Sequence, residues 1–352
     1  VSTFDMDGVS VERCRQWLHE LPSKRIAVVG DLMLDHYYIG SVSRISPEAP
    51  VPVVELERET YRLGGAANVA HNLRMLGCQV VLCGVVGDDS SGAELLELAD
   101  ELGIETSGIV QEHPRPTTVK TRIIGNNQQL LRLDREQRLP IADDSAERIL
   151  SALDRADTVA AVILEDYNKG VLTPALIERV VAWAQQRGIP VLVDPKTENF
   201  FAYRGVTVFK PNQKEAQHAL GVRLDSDESI VSAGIELIER LTAEYVLVTL
   251  GARGMMLVER NGQYRHIPSE ARHVADVSGA GDTVIATLAA MMVTGATIVQ
   301  AAVLASIAAG VVCGEPGVVP ITAAGLLAAI EQIEPIASGL SDTAIGAHLA
   351  AD

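Results

Sequence analysis

Short apolar runs recur along the chain, and most give way to a stretch with helical spacing. The runs fall at residues 25–30, 80–86, 159–164, 190–193, 206–209 and 245–249. Helical patterns fall at 66–76, 93–102, 145–153, 174–186, 215–220 and 230–241, after an N-terminal helix expected around 11–21. Apolar strands that alternate with helices of this length build right-handed βαβ units. Such units place the strands in a mostly parallel sheet with both faces covered, so the fold expected is three-layer αβα. Residues 51–57 and parts of 117–124 and 130–134 break the rhythm by alternating apolar with polar, as strands with one wet face do. They read as a small β-sheet lid inserted at about 36–62 and 115–135, within one domain spanning 1–335, with ordinary edge strands of the main sheet as the alternative. Residues 336–352 read as a weakly structured tail.

Aromatics make up only 4% of the residues, so the core must be built from Ala, Val, Leu and Ile. The formal net charge of −17 argues against a nucleic-acid partner, whose affinity comes largely from neutralised phosphates. An anionic ligand would need positive charge or backbone amides supplied locally. Four scattered cysteines (Cys14, Cys78, Cys83, Cys313) make neither a disulfide framework nor a zinc site, and read as buried thiols in a reducing compartment. No leader and no run of membrane-spanning length is read, so a soluble cytoplasmic protein is expected.

The sharpest segment runs from Asp276 to Asp282, with Gly279, Ala280 and Gly281 just ahead of an apolar helix. Unpaired amides at a helix start, with the positive end of its dipole, suit an anion, and glycines admit close approach. A carboxylate at Asp282 beside them suits a base for an attacking hydroxyl. A lone Gly-x-Gly-Asp fits a helix cap better. A second glycine-led helix start, Gly64-Gly65 followed by Asn68, strengthens the first. Gly87 and Gly92 have P-loop spacing, but Ala93 stands where that motif needs Lys, and no Gly-x-Gly-x-x-Gly follows the first strand.

These elements together resemble the ribokinase-like (PfkB) family of sugar kinases over nearly the whole chain. Gly64 to Asn68 match its first signature and Asp276 to Asp282 its second, with Val277 and Ser278 in the variable part. Asn212 to Glu215 match its Asn-x-x-Glu motif, and Thr249 to Gly254 its nucleotide loop. The resemblance implies Asp282 as the base and the amides of Gly279, Ala280 and Gly281 as the anion hole. It implies that Asn212 and Glu215 hold Mg²⁺ largely through water, and that Thr249, Gly251 and Gly254 line ATP. Asp35, Gly64, Gly65 and Asn68 would meet the sugar. Other readings stay open: Asp35 as a turn residue, Asn212 as an N-cap, Glu215 as a first-turn acid. A monovalent-cation requirement also stays open.

Residues 43–53, 127–134, 166–170 and 193–196 are similar to the family members that phosphorylate D-glycero-β-D-manno-heptose 7-phosphate. That likeness implies transfer to O1, giving the 1,7-bisphosphate, on the route to ADP-heptose and the lipopolysaccharide inner core. A 7-phosphate needs cations, and Lys169 and Lys196 follow strands at the end where open α/β sheets bind ligands, with Lys120 and Arg122 on the lid. Nothing past residue 335 resembles the nucleotidyltransferase to which such kinases are often joined, so a stand-alone kinase is expected. Family dimers imply a homodimer through the lid, with Val51, Val53 and Leu56 as apolar contacts. The rival readings are a kinase for fructose, ribose or a nucleoside, a silent sugar- or nucleotide-binding sensor, and a scaffold that merely dimerises.

Overall fold

The computed structural model describes residues 7–271 and 274–333. The expected domain end at 335 and the tail at 336–352 lie outside the described residues. After a first helix, α1 (Val11–Glu20), the chain lays down a central sheet from β1 (Arg25–Gly30), β4 (Gln79–Gly87), β5 (Glu105–Glu112), β8 (Val159–Glu165), β9 (Val191–Asp194), β10 (Val208–Phe209), β11 (Tyr245–Thr249), β12 (Met255–Glu259) and β13 (Tyr264–Ile267). The strand order is β13-β12-β11-β10-β9-β8-β1-β4-β5. All neighbours are parallel as far as β11, and β12 and β13 then turn back antiparallel at one edge.

The helices cover both faces. They are α2 (Ala66–Leu76), α3 (Ser90–Glu101), α4 (Asp143–Arg155), α5 (Pro174–Gln186), α6 (Gln213–Leu220), α7 (Asp227–Leu241), α8 (Ala280–Met292) and α9 (Ile298–Cys313). Alternation along β1 divides the core: Ile26 and Val28 pack with α2, α8 and α9, while Ala27 and Val29 pack with α4, α5 and α7. Each fully buried Val, Leu or Ile contributes about 1.5–3 kcal/mol, so this two-sided burial anchors the sheet. Helix α8 is buried from Asp282 to Met291, as expected of a helix that is apolar all round. Its first turn therefore sits in a dry environment.

A second sheet has the order β3-β2-β6-β7, from β2 (Leu32–Ile45), β3 (Pro52–Gly65), β6 (Thr118–Gly125) and β7 (Gln128–Arg135). Pairing is antiparallel except between β2 and β6. Strand β2 starts two residues after β1 ends, and β3 runs straight into α2. The lid is thus rooted beside the carboxyl ends of the central strands. Pro52 opens an edge strand, where its missing N–H breaks no ladder. Strand β7 is exposed along its full length.

Candidate active site

Helix α8 begins at Gly279, whose φ of +80° suits glycine and whose cap position has no side-chain hydrogen bond. A Cβ there would also lie 3.0 Å from Asn68 Nδ2. The amides of Gly279 and Gly281 have no backbone partner among the described residues. That of Ala280 differs from the expected anion hole, because it already donates to the Val277 carbonyl at 3.3 Å as the chain turns into the helix. Asp276 steadies this loop: its carboxylate accepts from the amides of Ser278 (2.9 Å) and Gly317 (3.1 Å).

Asp282 projects from the first turn and is only 4% exposed. It makes no salt bridge among the described residues. Oδ2 accepts from Asn68 Nδ2 at 2.7 Å and Oδ1 from the Tyr167 hydroxyl at 2.8 Å. Burial pushes its carboxyl up to about 6, against the pull of those two donors. The sugar-side expectation for Asn68 therefore gains a second element, since its amide is given to the carboxylate itself. The glycines before it have internal reasons to be glycine. A Cβ at Gly64 would meet Asp35 Oδ2 at 2.7 Å, and one at Gly65, where φ is +58°, would meet the Asp31 carbonyl at 2.5 Å.

Around Asp282 stand charged groups that the sequence reading passed over. Glu165 ends β8, Asp194 ends β9 and Lys210 follows β10; Lys210 Nζ lies 2.7 Å from Asp194 Oδ2. Among the described residues, Glu165, Asp194 and Asp282 are the acids whose oxygens come within 4.8 Å of one another, a spacing suited to a cation. Lys210 and Lys196 already answer Asp194, and Asn68 and Tyr167 answer Asp282. Both oxygens of Glu165 are buried without a hydrogen-bond partner among the described residues. Burial, then the charges of Asp194 and Asp282, holds its carboxyl well above the usual range, favouring the neutral acid.

The expected magnesium residues form a capping box. Asn212 Oδ1 accepts from the Glu215 amide at 2.9 Å and Glu215 Oε2 from the Asn212 amide at 2.8 Å. Glu215 Oε1 pairs with Lys196 Nζ at 2.9 Å. Neither oxygen of Glu215 is left bare, which fits a metal held through water and not direct ligation. Asn212 bridges to Thr249, so this helix start adjoins the nucleotide loop.

A cavity of about 290 Å³ brings Thr249, Gly251 and Gly254 together with Ala280 and Gly281, closed by Val277, Val284 and Ala309. It is largely apolar beside the helix start, as a flat base next to a phosphate chain would require. At Gly254, φ is +88° and a Cβ would strike the Ile267 carbonyl at 2.0 Å.

The cations expected at a sugar phosphate divide. Lys169 Nζ pairs with Glu136 at 2.6 Å and Lys196 with Glu215, while Arg122 pairs with Asp35 across β6 and β2. In all three the charge is already answered by a carboxylate: each is half-buried or more, and a desolvated charge recruits one. Burial disfavours charge at Lys196, yet Asp194 and Glu215 hold its ammonium above the usual lysine range. Asp35 is likewise committed to Arg122 before any sugar arrives. Of the four, Lys120 alone has no carboxylate at ion-pair distance among the described residues; burial holds it below the usual lysine range, with Asp35 opposing.

The pfkB family carbohydrate kinase model matches residues 23–323. The chain belongs to the pfkB family. Two curated relatives are each named "Bifunctional protein HldE". That from Geobacter sulfurreducens is 45% identical over 304 residues, covering 86% of this chain and 62% of the relative. That from Paramagnetospirillum magneticum is 47% identical over 301 residues, covering 85% and 62%. The chain thus spans about three-fifths of the length of these pfkB relatives. Among solved structures, phosphofructokinase-2 from Escherichia coli in complex with potassium matches at a TM-score of 0.74 and 17% identity, over 88% of this chain and 99% of that one. Arabidopsis thaliana ribokinase complexed with ribose and ATP matches at 0.68 and 21%, over 87% and 98%. At such identities the likeness is one of fold, and it agrees with the ribokinase-like αβα architecture described above.

Proposed function

We propose that the chain transfers the γ-phosphoryl group of ATP to O1 of D-glycero-β-D-manno-heptose 7-phosphate. The product is the 1,7-bisphosphate, and its use lies on the route to ADP-heptose and the lipopolysaccharide inner core. One observation carries the reading: the buried Asp282 carboxylate directly follows Gly281, whose amide has no backbone partner among the described residues and which lines one cavity with the nucleotide loop. The choice of sugar rests on the likeness of residues 43–53, 127–134, 166–170 and 193–196 to heptose-phosphate kinases, together with the relatives named HldE.

In this reading Asp282 accepts the proton of the anomeric hydroxyl as its oxygen bonds to phosphorus and ADP departs. The Gly279 and Gly281 amides stabilise the charge on the migrating group, in a site dry enough for such donors to act strongly. Asn212 and Glu215 would hold Mg²⁺ through water, and the ion would supply positive charge against that of the phosphates. Lys120 receives the 7-phosphate. The lid covers the sugar and limits the entry of water that would otherwise hydrolyse ATP.

We infer also that two copies associate through their lids. Ile45, Val51 and Leu56 lie exposed, on or beside the β2–β3 hairpin, and an exposed apolar edge favours a partner. Four buried free cysteines suit a reducing cytoplasm. No helix among the described residues is long and apolar enough to cross a membrane.

The deciding experiment couples ADP release to three acceptors: heptose 7-phosphate, fructose 6-phosphate and ribose. The expected result is turnover with the heptose phosphate at a kcat/KM well above the others. Preference for another acceptor overturns the sugar, and absence of sugar-dependent ADP release overturns the kinase reading.

A further inference from the structure

Tyr167 makes four contacts that the proposed chemistry does not use. Its hydroxyl donates to Asp282 Oδ1 at 2.8 Å. Its ring lies between two ammonium groups, with Lys120 Nζ 5.0 Å and Lys196 Nζ 5.1 Å from the centroid. Its amide donates to Asp31 Oδ2 at 2.7 Å. Asp31 is fully buried and also accepts from the amides of Lys169 (3.0 Å) and Val171 (3.1 Å). The next acid, Asp166, accepts from the Asn168 amide at 2.7 Å and the Tyr203 hydroxyl at 2.6 Å.

The loop that carries Tyr167 is therefore bound down by two buried carboxylates. The backbone adds its own constraint, since a Cβ at Gly170 would strike the Leu139 carbonyl at 2.0 Å. A side chain on such a loop can hold a partner to a narrow range of orientations. A carboxylate that must take a proton in a short-lived geometry benefits from that restriction. Asn68 fixes one oxygen of Asp282 from α2, and Tyr167 fixes the other from the far side.

Resting on the assignment of Asp282 as the base, we propose that Tyr167 is a positioning residue for phosphoryl transfer: its hydroxyl holds Asp282 Oδ1 so that the remaining lone pairs stay directed at the acceptor hydroxyl. The other groups facing Asp282 are Asn68 on α2, Glu165 on β8, Asp194 on β9 and Lys210 after β10, and none of them replaces this donor.

Tyr167→Phe keeps the ring between the lysines and deletes only the hydroxyl. Steady-state rates with heptose 7-phosphate and MgATP, taken across the acid and neutral range beside Asp282→Asn, test the role. The expected result is a fall in kcat of about tenfold with KM for ATP within about twofold of the parent. The acid limb of kcat should also move to higher pH, because a lost donor no longer favours the anion. An unchanged kcat, or a lower kcat with an unmoved acid limb, overturns the role of Tyr167 where Asp282→Asn is inactive. Retained turnover in Asp282→Asn instead overturns the base assignment, whatever Tyr167→Phe does.

Discussion

Lys120 Nζ sits over the ring of Tyr167, whose hydroxyl reaches Asp282. Of the four proposed cations, the one with no carboxylate at ion-pair distance among the described residues is therefore two contacts away from the proposed base. Lys120→Ala should raise KM for heptose 7-phosphate about tenfold and leave KM for the unphosphorylated heptose nearly unchanged. Lys169→Ala, which leaves Glu136 with Arg138 as its cation, should alter both KM values alike. Equal effects on the two sugars from Lys120→Ala would remove it from the phosphate site.

Asp282→Asn should cut turnover by a factor of about 10² or more while ATP affinity stays close to that of the parent. Calorimetry of ATP binding and a coupled assay on the same preparation check the two halves. Near-normal turnover would displace Asp282 from its role.

Burial raises the Asp282 carboxyl to about 6, so the proton-accepting form is lost as pH falls through that value. The rate at saturating substrate should therefore be flat above this point and drop about tenfold per pH unit below it. A limb near the ordinary aspartate range would mean that the site is wetter than its burial implies.

Two glycines of the nucleotide loop should respond differently to alanine. Gly254→Ala forces a Cβ into the Ile267 carbonyl and should cost about 1–3 kcal/mol beyond the same change at Gly251. Gly251 also has positive φ, yet nothing lies within 4 Å of its Cβ position, so Gly251→Ala should cost about 1–2 kcal/mol, from the backbone alone. Urea unfolding midpoints measure both; equal losses would refute the steric distinction.

Charging the lid surface should separate the copies. Val51→Glu combined with Leu56→Glu should sediment as a monomer where the parent sediments as a dimer, because each exposed apolar side chain would be replaced by a charge that repels its counterpart. A parent that is itself monomeric would remove the lid dimer.

Six of the nine central strands were legible because their apolar runs are bounded by glycine and polar residues, whereas β5, β12 and β13 went unread; α2 and α5 keep the limits read from their spacing. Strand β2 was not. Its sequence from Leu32 to Ile45 starts buried on both faces and ends wet, so neither alternation nor a continuous apolar run marks it. The glycine-led helix starts could be read because a motif is local. The ion pairs could not: Lys169 and Glu136 are 33 positions apart, and only the fold decides that they meet. Asp31, Glu165, Asp194 and Lys210 did carry a signal. Each is a charge at or just past the carboxyl end of a buried strand, where a parallel sheet leaves room for a ligand.

Helix α8 is wrapped by protein from its first turn onward. The receiving end of the reaction is thus a fixed anvil, unable to swing toward its cargo. Any movement in the proposed reaction would then fall to the lid, whose edge strand β7 is washed by solvent along its whole length.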